Sequence, residues 1–256
     1  MPDTDTRWLE RDDGVALAYA RRTGTCPGVV FLGGYASDMS GTKATWLDER
    51  CCRRGRSFLR FDYSGHGQSG GRFEDGTIGA WTADALAVLD SLTEGPQILV
   101  GSSMGGWIML NVALARPRRV AALVGIAAAP DFSQDIFWNL STEDQERLQR
   151  DGVIRVEEED GSYTVTRGFI EEARRHLVMR RSIAIDVPVR LIHGMRDGSV
   201  TWSLALDLAA RLATDDVCVH LVKDGDHRLS RDSDLALLGR TLDGLEESAS
   251  AASPSR

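Results

Sequence analysis

Short apolar runs rich in β-branched residues alternate along this chain with stretches whose apolar positions recur at helical spacing. Residues 8–11 and 15–19 flank Asp12-Asp13-Gly14, and Asp-Gly between apolar segments predicts a hairpin. The run 29–32 (Val-Val-Phe-Leu) predicts a strand buried on both faces. Residues 42–54 carry Ala44, Leu47 and Cys51 on one helical face, with Gly55 placed to end the helix. A strand at 57–61 comes next, then a helix at 77–92 with Ile78, Trp81, Ala85, Leu89 and Leu92 on one side. A strand at 97–100, a helix at 104–115 stopped by Pro117, and a strand at 120–126 continue the alternation.

The rhythm breaks over residues 131–186. This stretch predicts helices at 141–149 and 168–181 around a hairpin, 153–158 and 163–167, turning at Asp160-Gly161. Regular alternation returns with strands at 189–193 and 217–222 and helices at 202–212 and 233–245. Alternating strand and helix implies an α/β fold with a mostly parallel sheet flanked by helices. The expected organisation is a core of 1–130 and 187–245, a small inserted cap of 131–186, and a flexible Ser/Ala-rich tail of 246–256. In such sheets ligands bind beyond the carboxyl ends of the strands.

Composition narrows the function classes. The 256 residues are 42% hydrophobic and 27% charged, as in a globular protein. Thirty basic and 38 acidic residues give a net charge of −8, which disfavours nucleic acid or an anionic membrane as partner. The longest apolar run, 120–130, is about half the length of a membrane span. Residues 1–13 are acidic, with neither the apolar core of a signal peptide nor the Arg-rich character of a transit peptide. Cys26, Cys51, Cys52 and Cys218 match no zinc spacing and read as free thiols in a reducing cytoplasm, the adjacent pair as packing residues of their helix. No metal or other cofactor is expected. Glycine is in excess, 26 residues, of which 16 fall between Gly24 and Gly106. That crowding marks a place where backbone approaches backbone or substrate closely.

Two segments fit G-x-S-x-G: Gly67-Gln68-Ser69-Gly70-Gly71 and Gly101-Ser102-Ser103-Met104-Gly105. The motif has a mechanism only between a strand and a helix, where a strained turn lifts the hydroxyl above the sheet. Ser103 has that setting. Ser69 lies in a glycine-dense loop and reads as a turn residue. A serine nucleophile needs a base, and the base a carboxylate to fix its tautomer. Of five histidines, only His227 stands in a loop at the carboxyl end of the last strand. His66 and His193 read as turn residues near the site, His176 as solvated and His220 as strand packing. Asp197, just past the 189–193 strand, is the matching acid; Asp224 and Asp226 lie too close to His227 in sequence to reach its far nitrogen easily. The backbone amide of Met104, at a helix start, is one expected donor to an oxyanion. The second comes from the loop after 29–32: Tyr35, or next Gly34.

With these residues placed, the chain resembles the α/β-hydrolases over about 29–242 and, more narrowly, a mitochondrial acyl-protein thioesterase group that also hydrolyses acyl glucuronides. The resemblance rests on Gly34-Tyr35, Ser40-Gly41-Thr42-Lys43-Ala44, Arg60-Phe61-Asp62-Tyr63-Ser64-Gly65 and the stretch 95–103. It extends through Gly105-Gly106-Trp107, Ala115-Arg116-Pro117, His193-Gly194-Met195 and Gly225-Asp226-His227-Arg228. It implies Ser103, Asp197 and His227 as a triad and Tyr35 and Met104 as oxyanion donors. Lacking a targeting presequence, the chain is expected to be cytoplasmic.

The expectation is a cofactor-free serine hydrolase acting on a small-molecule carboxylic ester or thioester through an acyl-enzyme. The same triad could serve a C–C bond or amide hydrolase. A noncatalytic ligand-binding homologue would have lost a member of the set. Phe132, Ile136, Phe137, Trp138 and Leu140 either line an acyl pocket or pack the cap onto the sheet. Trp107 is core or pocket wall.

Overall fold

The structure is a computed structural model and describes residues 5–158 and 161–251. In chain order its strands and helices are β1 (Arg7–Glu10), β2 (Ala16–Arg22), β3 (Thr25–Leu32), α1 (Thr42–Arg53), β4 (Arg56–Phe61), α2 (Ile78–Leu92), β5 (Gln97–Ser102), α3 (Met104–Ala115) and β6 (Val120–Ile126). Then come α4 (Phe132–Asn139), α5 (Thr142–Asp151), β7 (Val153–Glu158), β8 (Gly161–Thr166), α6 (Arg167–Ala173), β9 (Val189–Gly194), α7 (Ser203–Arg211), β10 (Val217–Val222) and α8 (Asp232–Ala251).

Eight strands form one sheet in the order β1-β2-β4-β3-β5-β6-β9-β10. The hairpin β1–β2 runs antiparallel to its neighbour β4, and every pairing from β4 to β10 is parallel. This is the α/β-hydrolase fold with its mostly parallel sheet. Period-two alternation divides the strands between two cores. Val30, Leu32, Leu59, Leu99 and Leu123 face α2 and α3, whereas Val29, Phe31, Phe58, Ile98 and Val124 face α1 and α8. Because the central strands are covered on both sides, their sequences read as continuous apolar runs rather than as half-buried ones.

Between β6 and β9 the chain leaves the sheet, and α4, α5, the β7–β8 hairpin and α6 lie in that stretch. Four sequence expectations are corrected here. Helix α4 was not expected as a helix, since its eight residues are short for a periodicity signal. Helix α6 ends at Ala173 rather than 181, because Asp131 accepts the Val178 and Met179 amides (2.9 Å each) and draws the chain into a turn. Helix α8 continues to Ala251, so 246–251 are helical and not tail; Glu246 anchors this end through ion pairs to Arg50 and Arg56. Asp160 of the predicted turn and residues 252–256 lie outside the described residues. His220 is exposed on the edge strand β10 rather than packed.

Candidate active site

The proposed reactive groups meet at the carboxyl ends of β3, β5, β9 and β10. Ser103 sits between the end of β5 and the start of α3 with φ 53° and ψ −119°, a conformation costly for a residue bearing a side chain. Its neighbours show how the turn is accommodated. A Cβ on Gly101 would meet the Gly105 carbonyl oxygen at 2.4 Å, and one on Gly105 would meet the Leu32 carbonyl oxygen at 2.1 Å. Only glycine fits at either position. The turn is pinned by the Ser103 amide donating to the Ile126 carbonyl (3.0 Å) and by the Gly106 and Ala129 amides donating to the Ser103 carbonyl (2.8 and 3.1 Å).

His227 reaches the serine from the loop after β10. Its Nε2 lies 3.1 Å from Ser103 Oγ and its Nδ1 lies 2.8 Å from Asp197 Oδ2. An ionised carboxylate only accepts, so Nδ1 carries the proton and Nε2 is the acceptor for the serine hydroxyl. The Asp197 side chain is fully buried. Burial acts to raise its pKa, but hydrogen bonds from His193, His227 and the Val200 amide outweigh it and hold the group well below the usual carboxylate range. Asp197 Oδ1 also accepts from the Ser199 and Val200 amides, at 2.9 and 2.8 Å.

His193 is the residue that sequence reasoning missed. Its buried ring places Nε2 3.1 Å from Asp197 Oδ2 and 3.0 Å from the Val200 carbonyl, bracing the loop that carries the acid. Its position four residues before Asp197, closing β9, was a usable signal. The remaining histidines are elsewhere: His176 bonds Glu172, and His66 is buried against Phe73 and Trp81. Ser69 is also committed to structure, accepting from the Ala18 amide (2.8 Å) and donating to the Asp62 carbonyl (2.7 Å).

The loop after β3 lies against the nucleophile: a Cβ on Gly34 would stand 3.5 Å from Ser103 Cβ. Among the described residues neither the Tyr35 nor the Met104 amide donates a hydrogen bond to the protein.

A cavity of about 1050 Å³ opens over Ser103 and His227. Phe132, Ile136, Leu140, Val156, Tyr163 and Leu204 give it an apolar wall. Ser37 and Asp38 of the loop after β3, Thr42 and Lys43 of α1, and Arg228 and Ser230 of the His227 loop add polar groups. Lys43 donates to the Arg228 carbonyl, and burial lowers its ammonium to about 8 against a partial pull upward from Asp226. Of the sequence candidates, Gly34 and Phe132 line this cavity. Three others do not line the cavity. Trp107 is fully buried in the core, its indole donating to the His176 carbonyl (2.9 Å). Trp138 is 71% exposed, and Phe137 packs beside it under Arg174. The reason is helical phase: Phe132, Asp135, Ile136, Asn139 and Leu140 share the inward face, leaving 137 and 138 on other faces.

Among the described residues no cluster of His, Cys, Asp or Glu is arranged to hold a metal, and no helix is long and apolar enough to cross a membrane.

Residues 26–150 match the hydrolase family described as serine aminopeptidase, S33. A bovine protein named palmitoyl-protein thioesterase ABHD10, mitochondrial, is 43% identical over 94% of this chain and 80% of its own length. Among solved structures, mouse alpha/beta hydrolase domain-containing protein 10 superposes with a TM-score of 0.91 at 42% identity, covering 95% of this chain and 99% of that one. A hydrolase from Agrobacterium vitis gives 0.90 at 38% identity, with the same coverage. These names correct the cytoplasmic expectation, since the curated relatives that span the chain are mitochondrial. The four cysteines are free thiols, and a free thiol does not choose among compartments.

Proposed function

Because this chain belongs to the α/β-hydrolase family that includes the ABHD10 thioesterases, and is a serine hydrolase of the esterase and thioesterase kind, we propose that Ser103, His227 and Asp197 are its catalytic triad, acting on long-chain acyl thioesters or esters. The observation that carries the proposal is His227 bridging Ser103 and Asp197, at 3.1 and 2.8 Å, on the floor of a cavity with one apolar wall.

Ser103 Oγ attacks the acyl carbonyl carbon while its proton passes to His227 Nε2. Asp197 holds the other ring nitrogen and stabilises the imidazolium. The carbonyl oxygen gains negative charge and accepts from the Met104 and Tyr35 amides, donors fixed before the reaction begins. His227 returns the proton to the departing thiolate or alkoxide, leaving an acyl ester on Ser103. Water, losing a proton to His227, then attacks that ester and releases the acid. Residues 131–186 act as the cap over a core of 1–130 and 187–245, with Phe132, Ile136, Val156 and Tyr163 receiving the acyl chain. The leaving group faces Lys43 and Arg228.

The test is a panel of acyl thioesters, oxygen esters and amides of matched chain length, run with fluorophosphonate labelling. Hydrolysis of thioesters or esters, with label on Ser103 alone, is expected. Preference for amides, or labelling that persists in Ser103→Ala, overturns the reading.

A further inference from the structure

Tyr35 joins the two halves of the site through opposite ends of one residue. Its backbone amide is the oxyanion donor proposed above, and its side chain points away from the sheet into the insertion. The hydroxyl donates to the Thr164 carbonyl on β8 at 2.7 Å. The ring meets Phe73 and Trp81 of the core, at centroid distances of 4.9 and 5.7 Å. It also meets Phe132, Tyr163 and Phe169 of the insertion, at 5.8, 5.7 and 5.4 Å. Burial pushes the hydroxyl well above the usual phenol range, so it stays a protonated donor.

The hairpin it grips is a wall of the cavity. Val156 of β7 and Ser162 and Tyr163 of β8 face the space where the acyl chain would lie. An isolated two-stranded hairpin is marginal in water and depends on what holds it. Ile154 and Val165 bury its inner face, and the Tyr35 hydroxyl ties its β8 backbone directly to the loop that carries the oxyanion donor. The hydroxyl bond and the Tyr35 backbone thus form one short covalent and hydrogen-bonded path from β8 to the loop that packs against Ser103.

We propose that Tyr35 is a positioning and specificity-determining residue: its hydroxyl latches the β7–β8 hairpin, so that an acyl chain long enough to fill the cavity aligns the Tyr35 amide with the oxyanion. Contact energy made far from the carbonyl is then expressed in the chemical step, and kcat rises with acyl length. A short acyl group leaves the wall unsupported and the amide poorly placed. This rests on the triad and oxyanion reading above.

Tyr35→Phe tests the idea, because it keeps the ring and the amide and removes one hydrogen bond. N-acetylcysteamine thioesters of acetyl, octanoyl and dodecanoyl groups would be compared by kcat and KM, with hydrogen exchange of the hairpin amides measured in parallel. In the unaltered protein kcat is expected to rise about tenfold from acetyl to dodecanoyl. In Tyr35→Phe that ratio is expected to fall towards one, with hairpin amides exchanging several-fold faster, about what one hydrogen bond confers. A length dependence confined to KM, a ratio unchanged by Tyr35→Phe, or a ratio that falls without faster exchange overturns the proposal. Any of these leaves the triad intact, because that reading is judged by Ser103 labelling and by the inactivity of Ser103→Ala at every acyl length.

Discussion

The turns at 67–71 and 101–105 carry the same G-x-S-x-G spacing, and each serine makes close polar contacts, yet the two do opposite things. At 67–71 the glycines let a loop fold onto a buried carboxylate. Asp62 accepts the Met39 and Gln68 amides (2.7 and 2.8 Å), and a Cβ on Gly67 would fall 2.1 Å from that carboxylate. Ser69 spends its hydroxyl on backbone groups of β2 and Asp62, so no proton is left to give. At 101–105 the glycines let a strand and a helix approach each other, and Ser103 is held in a strained backbone with its hydroxyl turned to His227. Close approach serves a buried hydrogen-bond network in one turn and, on the function proposed above, chemistry in the other. The difference lies in the element after each serine: a helix begins at Met104, whereas the chain beyond Ser69 has no α-helix until Ile78.

The sharpest way to separate the turns is to delete each hydroxyl. Ser103→Ala is expected to lower kcat by about 10⁴-fold or more while thermal unfolding changes little, read by thioester turnover and calorimetry. Next in size is Gly105→Ala, whose methyl would press on the carbonyls of Leu32 and Gly33. Unfolding free energy should drop by about 3 kcal/mol, with Ser103 labelling slowed because the elbow itself moves. Ser69→Ala should reverse the Ser103 pattern, losing about 1–2 kcal/mol of stability in denaturant titration while labelling of Ser103 keeps its rate. A Ser69→Ala protein that folds normally but fails to label would break the comparison.

The smallest effect concerns pH and the same glycine-rich loop. Burial lowers the pKa of His66 from its ordinary 6.5, partly opposed by the Ser64 carbonyl and Asp84. Above 6.5 the ring is neutral folded and unfolded alike. As pH falls below 6.5 the unfolded chain takes a proton that the folded chain refuses, so stability is lost until the folded pKa is passed. The loss should be at most about 1.4 kcal/mol per pH unit. Denaturation midpoints between pH 7 and 5 should show it, and His66→Gln should remove that part of the slope.

The core fold was legible because its signals are local. The runs at 29–32, 97–100 and 120–126 are apolar on nearly every residue because their strands are covered on both faces, and that is visible without knowing which helix covers them. Ser103 was legible for the same reason, since elbow, strand and helix are contiguous. Asp197 and His227, which the fold brings together with Ser103, were legible as candidates through their places at strand ends. His193 was signalled only by its spacing from Asp197, because their partnership forms once the loop has closed on Val200. The insertion was the least legible part. Without α4 recognised as a helix, Phe137 and Trp138 looked equivalent to Phe132 and Ile136. Only the phase of that helix tells the cavity face from the others.

The position of the insertion carries an evolutionary consequence. It leaves the sheet after β6 and returns at β9, two strands that pair directly, as at Leu123 with Val189. Ser103 precedes this departure, and Asp197 and His227 follow the return. Segments of other lengths and shapes could be exchanged here without moving a strand end that bears a reactive group. The seam between β6 and β9 is thus where one chemical engine could be refitted for new substrates, and the Tyr35 contacts to β8 are what each refit would have to replace.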